Sequence, residues 1–240
     1  MKNKIKPFIT LLFAIFIFLF SSCDFLFIID NPIPAEKTES VTVLKTFEKQ
    51  ECDYLFIMYV DGDNDLQDVL FEDLNEVEEA LYNYSLKSEP KPKIKVVALW
   101  DGWEETKLGG KKTRILQLGS DSNKKATMLC SNTLDLTATA YNSANNWINY
   151  NPLTQDAEFD MSSKSTLVNF LNWTHEYYDA KYEVLQFSNH GGGPRTALGN
   201  SGKKALCWDF TTGTTSEYFL KTKDVSDAFH EAGYGMENQF

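Results

Sequence analysis

The chain has 240 residues, of which 42% are hydrophobic and 14% aromatic, so it can bury a core and is not a disordered chain. Its net charge is −11, and because the first 23 residues hold three lysines and no acid, the remainder holds 20 basic and 34 acidic residues. Such a surface repels phosphate backbones, which argues against a nucleic-acid-binding protein.

The N-terminus is typical of an export signal. Three lysines precede an apolar segment, Phe8–Phe20, which is interrupted only by Thr10 and is shorter than the ~20 residues that cross a bilayer. The following Ser-Ser-Cys predicts a bacterial lipoprotein signal, residues 1–23, cleaved before Cys23, although Phe20 stands where the motif prefers Leu. A lipid on Cys23 would anchor the exported protein to a membrane of the cell envelope, facing the periplasm or the cell surface. A plain secretory signal is the alternative, and it also implies export.

Residues 24–52 contain Asn-Pro-Ile-Pro followed by polar residues, and they are interpreted as a tether that leads to a folded domain at 53–240. The three remaining cysteines are Cys52, Cys130 and Cys207. An odd number in an exported protein leaves at least one thiol free. Their spacing does not fit zinc, so no metal ligands are assigned among them.

The domain opens with a strand–helix–strand pattern. Tyr54–Val60 is a continuous apolar run, as is Ile94–Trp100, and parallel pairing follows if a helix connects them. Residues 64–84 have helical spacing, with Asn64 as the expected N-cap and Gln67 at the reciprocal position of a capping box. The predicted buried face of this helix consists of Leu66, Val69, Leu70, Leu74, Val77 and Leu81.

The later elements continue the alternation of strands and helices. Residues 119–160 have no clear period and are expected to be surface loops. The pattern predicts a mainly parallel α/β sheet with helices on both faces. The predicted elements are a strand at 113–118, a helix capped near Ser163 that buries Leu167, Phe170, Leu171 and Thr174, strands at 183–188 and 204–210, and a helix that Thr222 caps and Gly233 ends.

Ligands of such sheets bind beyond the carboxyl ends of the strands, where this chain places an acidic loop and a histidine. Asp61 and Asp63 follow the first strand in an EF-hand-like spacing, but Leu66 stands where that motif requires glycine. An EF-hand is therefore rejected, and a looser cation site, calcium being the candidate ion, stays open. His190 follows a later strand and precedes three glycines, so it is a candidate general base, with a tight turn holding an incidental histidine as the alternative.

The other chemically active side chains favour structural roles. His175 lies within a predicted helix and His230 on the exposed face of another. Cys207 could serve as a nucleophile for His190, but its place in the apolar stretch "ALCWD" disfavours this role, because buried cysteines commonly pack as small apolar residues.

Taken together, the motifs resemble the clostripain family of cysteine peptidases. The resemblance rests on "YLFIMYVDGDNDLQ", "IKVVALWDGW", "STLVNFLNWTHEYYDAKYEVLQFSNHGGGPR" and "LCWDFTTGTTSEYFLKTKDVSDAF", and it covers residues 54–232. It implies a caspase-like three-layer α/β/α sandwich with a Cys/His dyad, acting on polypeptides and typically cutting after Arg or Lys. No cofactor is expected beyond the calcium candidate.

The resemblance assigns His190 as the catalytic histidine and Gly191 as the glycine whose N–H helps hold the oxyanion. The family's nucleophile stands in an Asp-Ala-Cys motif, which this sequence does not contain. We therefore expect a peptidase domain that is truncated before its nucleophile and inactive in this form. Two alternatives stay open: a non-catalytic lipoprotein that binds peptides or partners, and catalysis by a Cys207–His190 dyad.

Overall fold

The computed structural model describes residues 25–30, 49–122, 128–137, 140, 158–190, 205–209 and 219–234. In these residues the strands are β1 (Phe25–Asp30), β2 (Gln50–Gly62), β3 (Ile94–Gly102), β4 (Arg114–Gln117), β5 (Leu134–Asp135), β6 (Tyr178–Ser188), β7 (Ala205–Trp208) and β8 (Phe219–Lys221). The helices are α1 (Gln67–Ser85), α2 (Lys164–Tyr177) and α3 (Thr222–Glu231).

Six strands form the central sheet in the order β1-β6-β2-β3-β4-β5. The central trio β6, β2 and β3 is parallel, whereas β1, β4 and β5 pair antiparallel at the two sides. Strands β7 and β8 form a separate antiparallel pair. The predicted parallel pairing of the first two predicted strands is confirmed, and so is the α/β class with helices on both faces, compatible with a caspase-like sandwich.

Two apolar cores lie on opposite faces of the sheet, because successive side chains of a strand point in opposite directions. In β2, Leu55, Ile57 and Tyr59 belong to the core shared with α2 and α3, while Phe56 and Met58 belong to the core shared with α1. All five are buried. Covering both faces explains why this strand is a continuous apolar run rather than an alternating one.

Strand β1 differs from the predicted tether. Residues Phe25–Asp30 pair antiparallel with β6 over six positions, from Phe25 opposite Phe187 to Asp30 opposite Tyr182. The segment has the apolar, β-branched composition that suits a strand. It pairs with the edge of β6 that β2 does not occupy. Part of the segment interpreted as a linker is therefore a strand of the sheet.

The start of α1 also differs from the prediction. Leu66 holds the N-cap position without a side-chain cap, and Gln67 is fully buried. The Nε2 of Gln67 donates to the carbonyl oxygens of Glu104 and Leu108, at 3.1 and 2.9 Å. The capping box was therefore wrong, because Gln67 instead holds the loop after β3. Val69 is half exposed, so it was wrongly placed on the buried face.

The other two helices follow the sequence pattern closely. Ser163 caps α2 by accepting a hydrogen bond from the N–H of Ser165, and its four predicted buried residues are all buried. Lys221 rather than Thr222 holds the N-cap of α3, where the carboxylate of Asp224 accepts from the N–H of Lys221 at 3.2 Å. Gly233 ends α3 with a φ of +85°, the left-handed conformation that glycine adopts readily.

The signal and anchor predictions concern residues outside this description, since Phe8–Phe20 and Cys23 are not among the described residues. Among the helices that are described, none has the length and apolar character needed to cross a membrane. The lipoprotein signal thus stays a prediction.

Candidate functional site

The candidate site lies at the carboxyl edge of the three parallel strands. Asp61 near the end of β2 lies in register with Asp101 near the end of β3. Val60 is in register with Ser188, the last residue of β6, which places His190 two residues beyond that strand. The topology therefore gathers the predicted acidic loop and the predicted histidine at one edge, as expected for an α/β sheet.

One backbone carbonyl ties the loop after β2 to the segment after β6. The side-chain amides of Asn64 and Asn189 both donate to the carbonyl oxygen of Asp61, at 3.1 and 2.8 Å. Asn64 also accepts from the N–H of Leu66 at 2.9 Å, which fixes the turn into α1. Both asparagines are buried, so this junction is a fixed part of the fold.

His190 extends from this junction toward solvent and contacts Asp65. Its Nε2 lies 2.7 Å from the Oδ1 of Asp65, and 43% of the histidine side chain is exposed. The hydrogen bond from His190 holds the pKa of the Asp65 carboxyl below its usual value. The imidazole is therefore accessible to a substrate and has a carboxylate partner.

Beneath this pair lies a group of carboxylates that we call the strand-end acid cluster: Asp61, Asp63, Asp101, Glu158 and Asp209. All except Glu158 are fully buried. Burial, followed by the charge of Asp209, raises the pKa of Asp61 well above its usual value. Burial and the charge of Glu158 do the same for Asp101. Removing carboxylates from water beside other carboxylates favours their protonated forms.

The orientation of Asp101 is fixed by hydrogen bonds. Its Oδ1 accepts from the hydroxyl of Thr113 at 2.5 Å, and that hydroxyl accepts from the N–H of Phe159 at 3.0 Å. Asp209 likewise accepts from the N–H of Met161 at 2.8 Å. Phe159 and Met161 are thus held at this edge by Thr113, whose hydroxyl is bound to Asp101, and by Asp209.

The cluster partly fits a cation. Carboxylate oxygens of Asp63, Asp101 and Glu158 all lie within 4.8 Å of one another, a spacing compatible with a shared Ca²⁺ at 2.3–2.6 Å from each oxygen. Three oxygens are fewer than the six to eight that Ca²⁺ takes. The sequence-based candidate used Asp61 and Asp63, and in the described residues the clustered oxygens belong instead to Asp63 and to residues farther along the chain.

The family was tested by comparison with known proteins. The model of the clostripain family matches residues 58–237, which is three quarters of the chain and includes the whole edge just described. The chain belongs to the clostripain family. A search of curated proteins returned no significant match. Family membership gives the protein a cysteine peptidase-like proteolytic function with polypeptides as its substrate class.

Two further candidate residues are Cys207, the alternative nucleophile, and Gly191, the oxyanion donor that the clostripain resemblance implies. Cys207 is 1% exposed, packs in the core shared with Tyr59, and has a φ of +53°. Burial and the neighbouring Asp61 raise the pKa of its thiol well above the usual value, which disfavours the nucleophilic thiolate. The geometry thus gives Cys207 no support as the nucleophile. Gly191 lies outside the described residues.

The sequence alone did not identify several residues at this edge of the sheet as site candidates. Asp101 repeats the Asp-Gly ending of β2 at the end of β3, and this repetition is a signal that could have identified it. Asp65 belongs to the acidic loop, but its contact with a histidine 125 residues away leaves no local pattern. Asp209 and Glu158 were not singled out either, because Asp209 falls within the predicted strand at 204–210 and Glu158 within the stretch 119–160, which was expected to be surface loops.

Proposed function

We propose that the protein is a cysteine endopeptidase in which His190 is the general base, exported and anchored to the cell envelope through a lipid on Cys23. The observation that carries the proposal is the position of His190, at the end of a central parallel strand and within the family match. A base must be accessible to the substrate, and the partial exposure of the imidazole meets this requirement.

In the proposed reaction, His190 accepts the proton of a cysteine thiol, and the thiolate attacks the peptide carbonyl carbon. The tetrahedral oxyanion accepts a hydrogen bond from the N–H of Gly191, and the amine then leaves with a proton from His190. Water hydrolyses the resulting thioester. We further propose cleavage after Arg or Lys, because a protein of net charge −11 attracts peptides that carry positive charge.

The thiol of this reaction is not assigned to Cys207. None of the four cysteines of the sequence stands in an Asp-Ala-Cys motif. We therefore propose that residues 1–240 alone hydrolyse peptides slowly or not at all. The Cys207–His190 alternative predicts rapid alkylation of Cys207 by iodoacetamide near neutral pH, faster than that of the partly buried Cys130. We expect the reverse order, and a faster Cys207 would restore the dyad.

The peptidase proposal is tested on the gene product isolated with an antibody from the cells that make it, together with any polypeptide that supplies the nucleophilic thiol, because no thiol is assigned within residues 1–240. We expect it to hydrolyse Arg- or Lys-ended reporters, and we expect the His190→Ala substitution to reduce the rate by about 10²–10⁴-fold, the usual contribution of a positioned base. The matched control is His230→Ala, an exposed histidine on α3. Full activity in His190→Ala would contradict the assigned role, and a folded but inactive wild type would favour the peptide-binding alternative.

The anchor is tested separately from the chemistry. Cells fed an alkyne-tagged fatty acid should label the wild-type protein, and the Cys23→Ser variant should remain unlabelled. Labelling of Cys23→Ser would show that the lipid is attached at another residue, and export of a wild type without lipid would leave the plain secretory signal as the explanation.

A further inference from the structure

The contact between Asp65 and His190 determines which ring nitrogen carries the proton. An ionised carboxylate can only accept hydrogen bonds, so Nε2, at 2.7 Å from Asp65 Oδ1, must carry the hydrogen. Because His190 lowers the pKa of Asp65, this carboxyl is ionised at neutral pH. In the neutral ring the second nitrogen, Nδ1, is then the basic one.

The two partners are held from neighbouring backbone positions. Asn64 precedes Asp65, Asn189 precedes His190, and the side chains of both asparagines donate to the same carbonyl of Asp61. This double anchor fixes the separation of the two backbones that carry the acid and the base. The pair therefore differs from a chance contact between two long surface side chains, since both side chains are short and their backbones are tied.

We propose that Asp65 is a positioning residue that holds His190 in the Nε2–H tautomer and presents Nδ1 to the thiol of the substrate-cleaving reaction. This inference rests on the proposed function of His190 as the base. A third group that orients the base recurs in nucleophile–base arrangements, where it fixes the tautomer and the direction of the ring. Asp65 touches no reacting atom and acts through His190.

The closing experiment reads the tautomer directly and needs no substrate. The ¹⁵N shifts of both ring nitrogens are measured near neutral pH in the ¹⁵N-histidine-labelled full chain, and the His190 signals are assigned by their loss in His190→Gln. We expect the wild type to favour the Nε2–H form relative to a blocked histidine peptide in the same buffer. In Asp65→Ala the tautomer ratio should fall by about 2–5-fold, the range that suits an exposed pair.

The controls separate the carboxylate from general effects. Asp65→Asn keeps one acceptor oxygen, so its ratio should lie between those of the wild type and Asp65→Ala. Glu76→Gln removes the same charge from an exposed position of α1 and should leave the ratio unchanged. Equal ratios in the wild type and Asp65→Ala would overturn the inference, as would an equal shift in Glu76→Gln.

A kinetic readout connects the tautomer to the reaction. In the isolated gene product, Asp65→Ala should lower kcat by about 10-fold with little change in KM, a part of what a positioned base contributes. An unchanged kcat would show that Asp65 does not position His190 for the reaction. The two failures are distinguishable: an unchanged tautomer overturns Asp65 alone, whereas full turnover in His190→Ala overturns the role of the base while the tautomer result stands.

Discussion

Buried acids in this protein have two opposite kinds of surroundings. In the group that we call the Glu183 network, the hydroxyl of Tyr234 donates to Glu183 and lies 2.6 Å from the Nε2 of His175. In the strand-end acid cluster, Asp101 faces other carboxylates, and its Oδ2 is buried without a hydrogen-bond partner among the described residues. The first group gives an acid its partners, and the second places acids beside acids.

The difference separates an acid whose contacts stabilise the fold from acids whose surroundings do not. Glu183 joins β6 to Tyr234, beyond the end of α3, and every member of its network has a partner within reach. Asp101 lies at the strand-end edge beyond which His190 lies, and its burial raises its pKa rather than lowering it. Strongly perturbed acids at a strand-end edge are a mark of functional sites.

The largest effect is expected from breaking the Glu183 network. Tyr234→Phe removes the hydroxyl that donates to Glu183 and leaves that buried carboxylate with His175 alone. We expect the free energy of unfolding to fall by about 1–3 kcal/mol, the cost of an unsatisfied buried group. Urea denaturation at pH 7 measures it.

The control for this substitution is Tyr182→Phe, since Tyr182 is 40% exposed and stacks on Tyr54 through its ring, which the substitution keeps. It should change the unfolding free energy by less than about 0.5 kcal/mol. Equal effects of the two substitutions would mean that the network does not stabilise the fold.

The opposite sign is expected in the strand-end acid cluster. Asp101→Asn replaces a buried acid with a neutral side chain of the same shape, and we expect a gain of about 1–2 kcal/mol at pH 7. The exposed Asp179→Asn is the matched control and should be neutral. A loss of stability in Asp101→Asn would show that its charge is compensated within the fold.

The pH dependence of this gain has a definite direction. Because the pKa of Asp101 is raised in the folded state, the native protein keeps a proton that the unfolded chain releases near pH 4. Stability of the wild type therefore falls as pH rises from about 4 through the raised native pKa. The advantage of Asp101→Asn should disappear below pH 4, and a constant advantage at all pH values would contradict the protonation account.

The loose cation site stays a prediction, and a smaller change in the unfolding free energy is expected to test it. If Asp63, Asp101 and Glu158 share Ca²⁺, a concentration ten times the Kd raises the unfolding free energy of the wild type by about 1.4 kcal/mol. Asp101→Asn should lose most of this response. The measurement is the melting temperature against calcium concentration, with Mg²⁺ as the control ion, and a flat response would reject the site.

The sequence predicted the parts of this molecule that depend on local pattern. The apolar run of β2 and the buried face of α2 follow from periodicity, and His190 was located from its place after a strand. Gln67 was misassigned because a capping residue and a loop-binding residue have the same local spacing. The pairs Tyr234–Glu183 and Asp65–His190 join residues 51 and 125 positions apart, and only the topology brings them together.

The smallest expected effect on stability belongs to Asp65, an acid of the strand-end edge that is mostly exposed, with 71% of its side chain accessible. Asp65→Ala should change the unfolding free energy by less than about 0.5 kcal/mol, since exposed ion pairs contribute little. The same variant should nevertheless shift the tautomer of His190. A loss above about 1 kcal/mol would mean that Asp65 supports the loop after β2, in which case the tautomer change would follow from a displaced backbone rather than from the missing carboxylate.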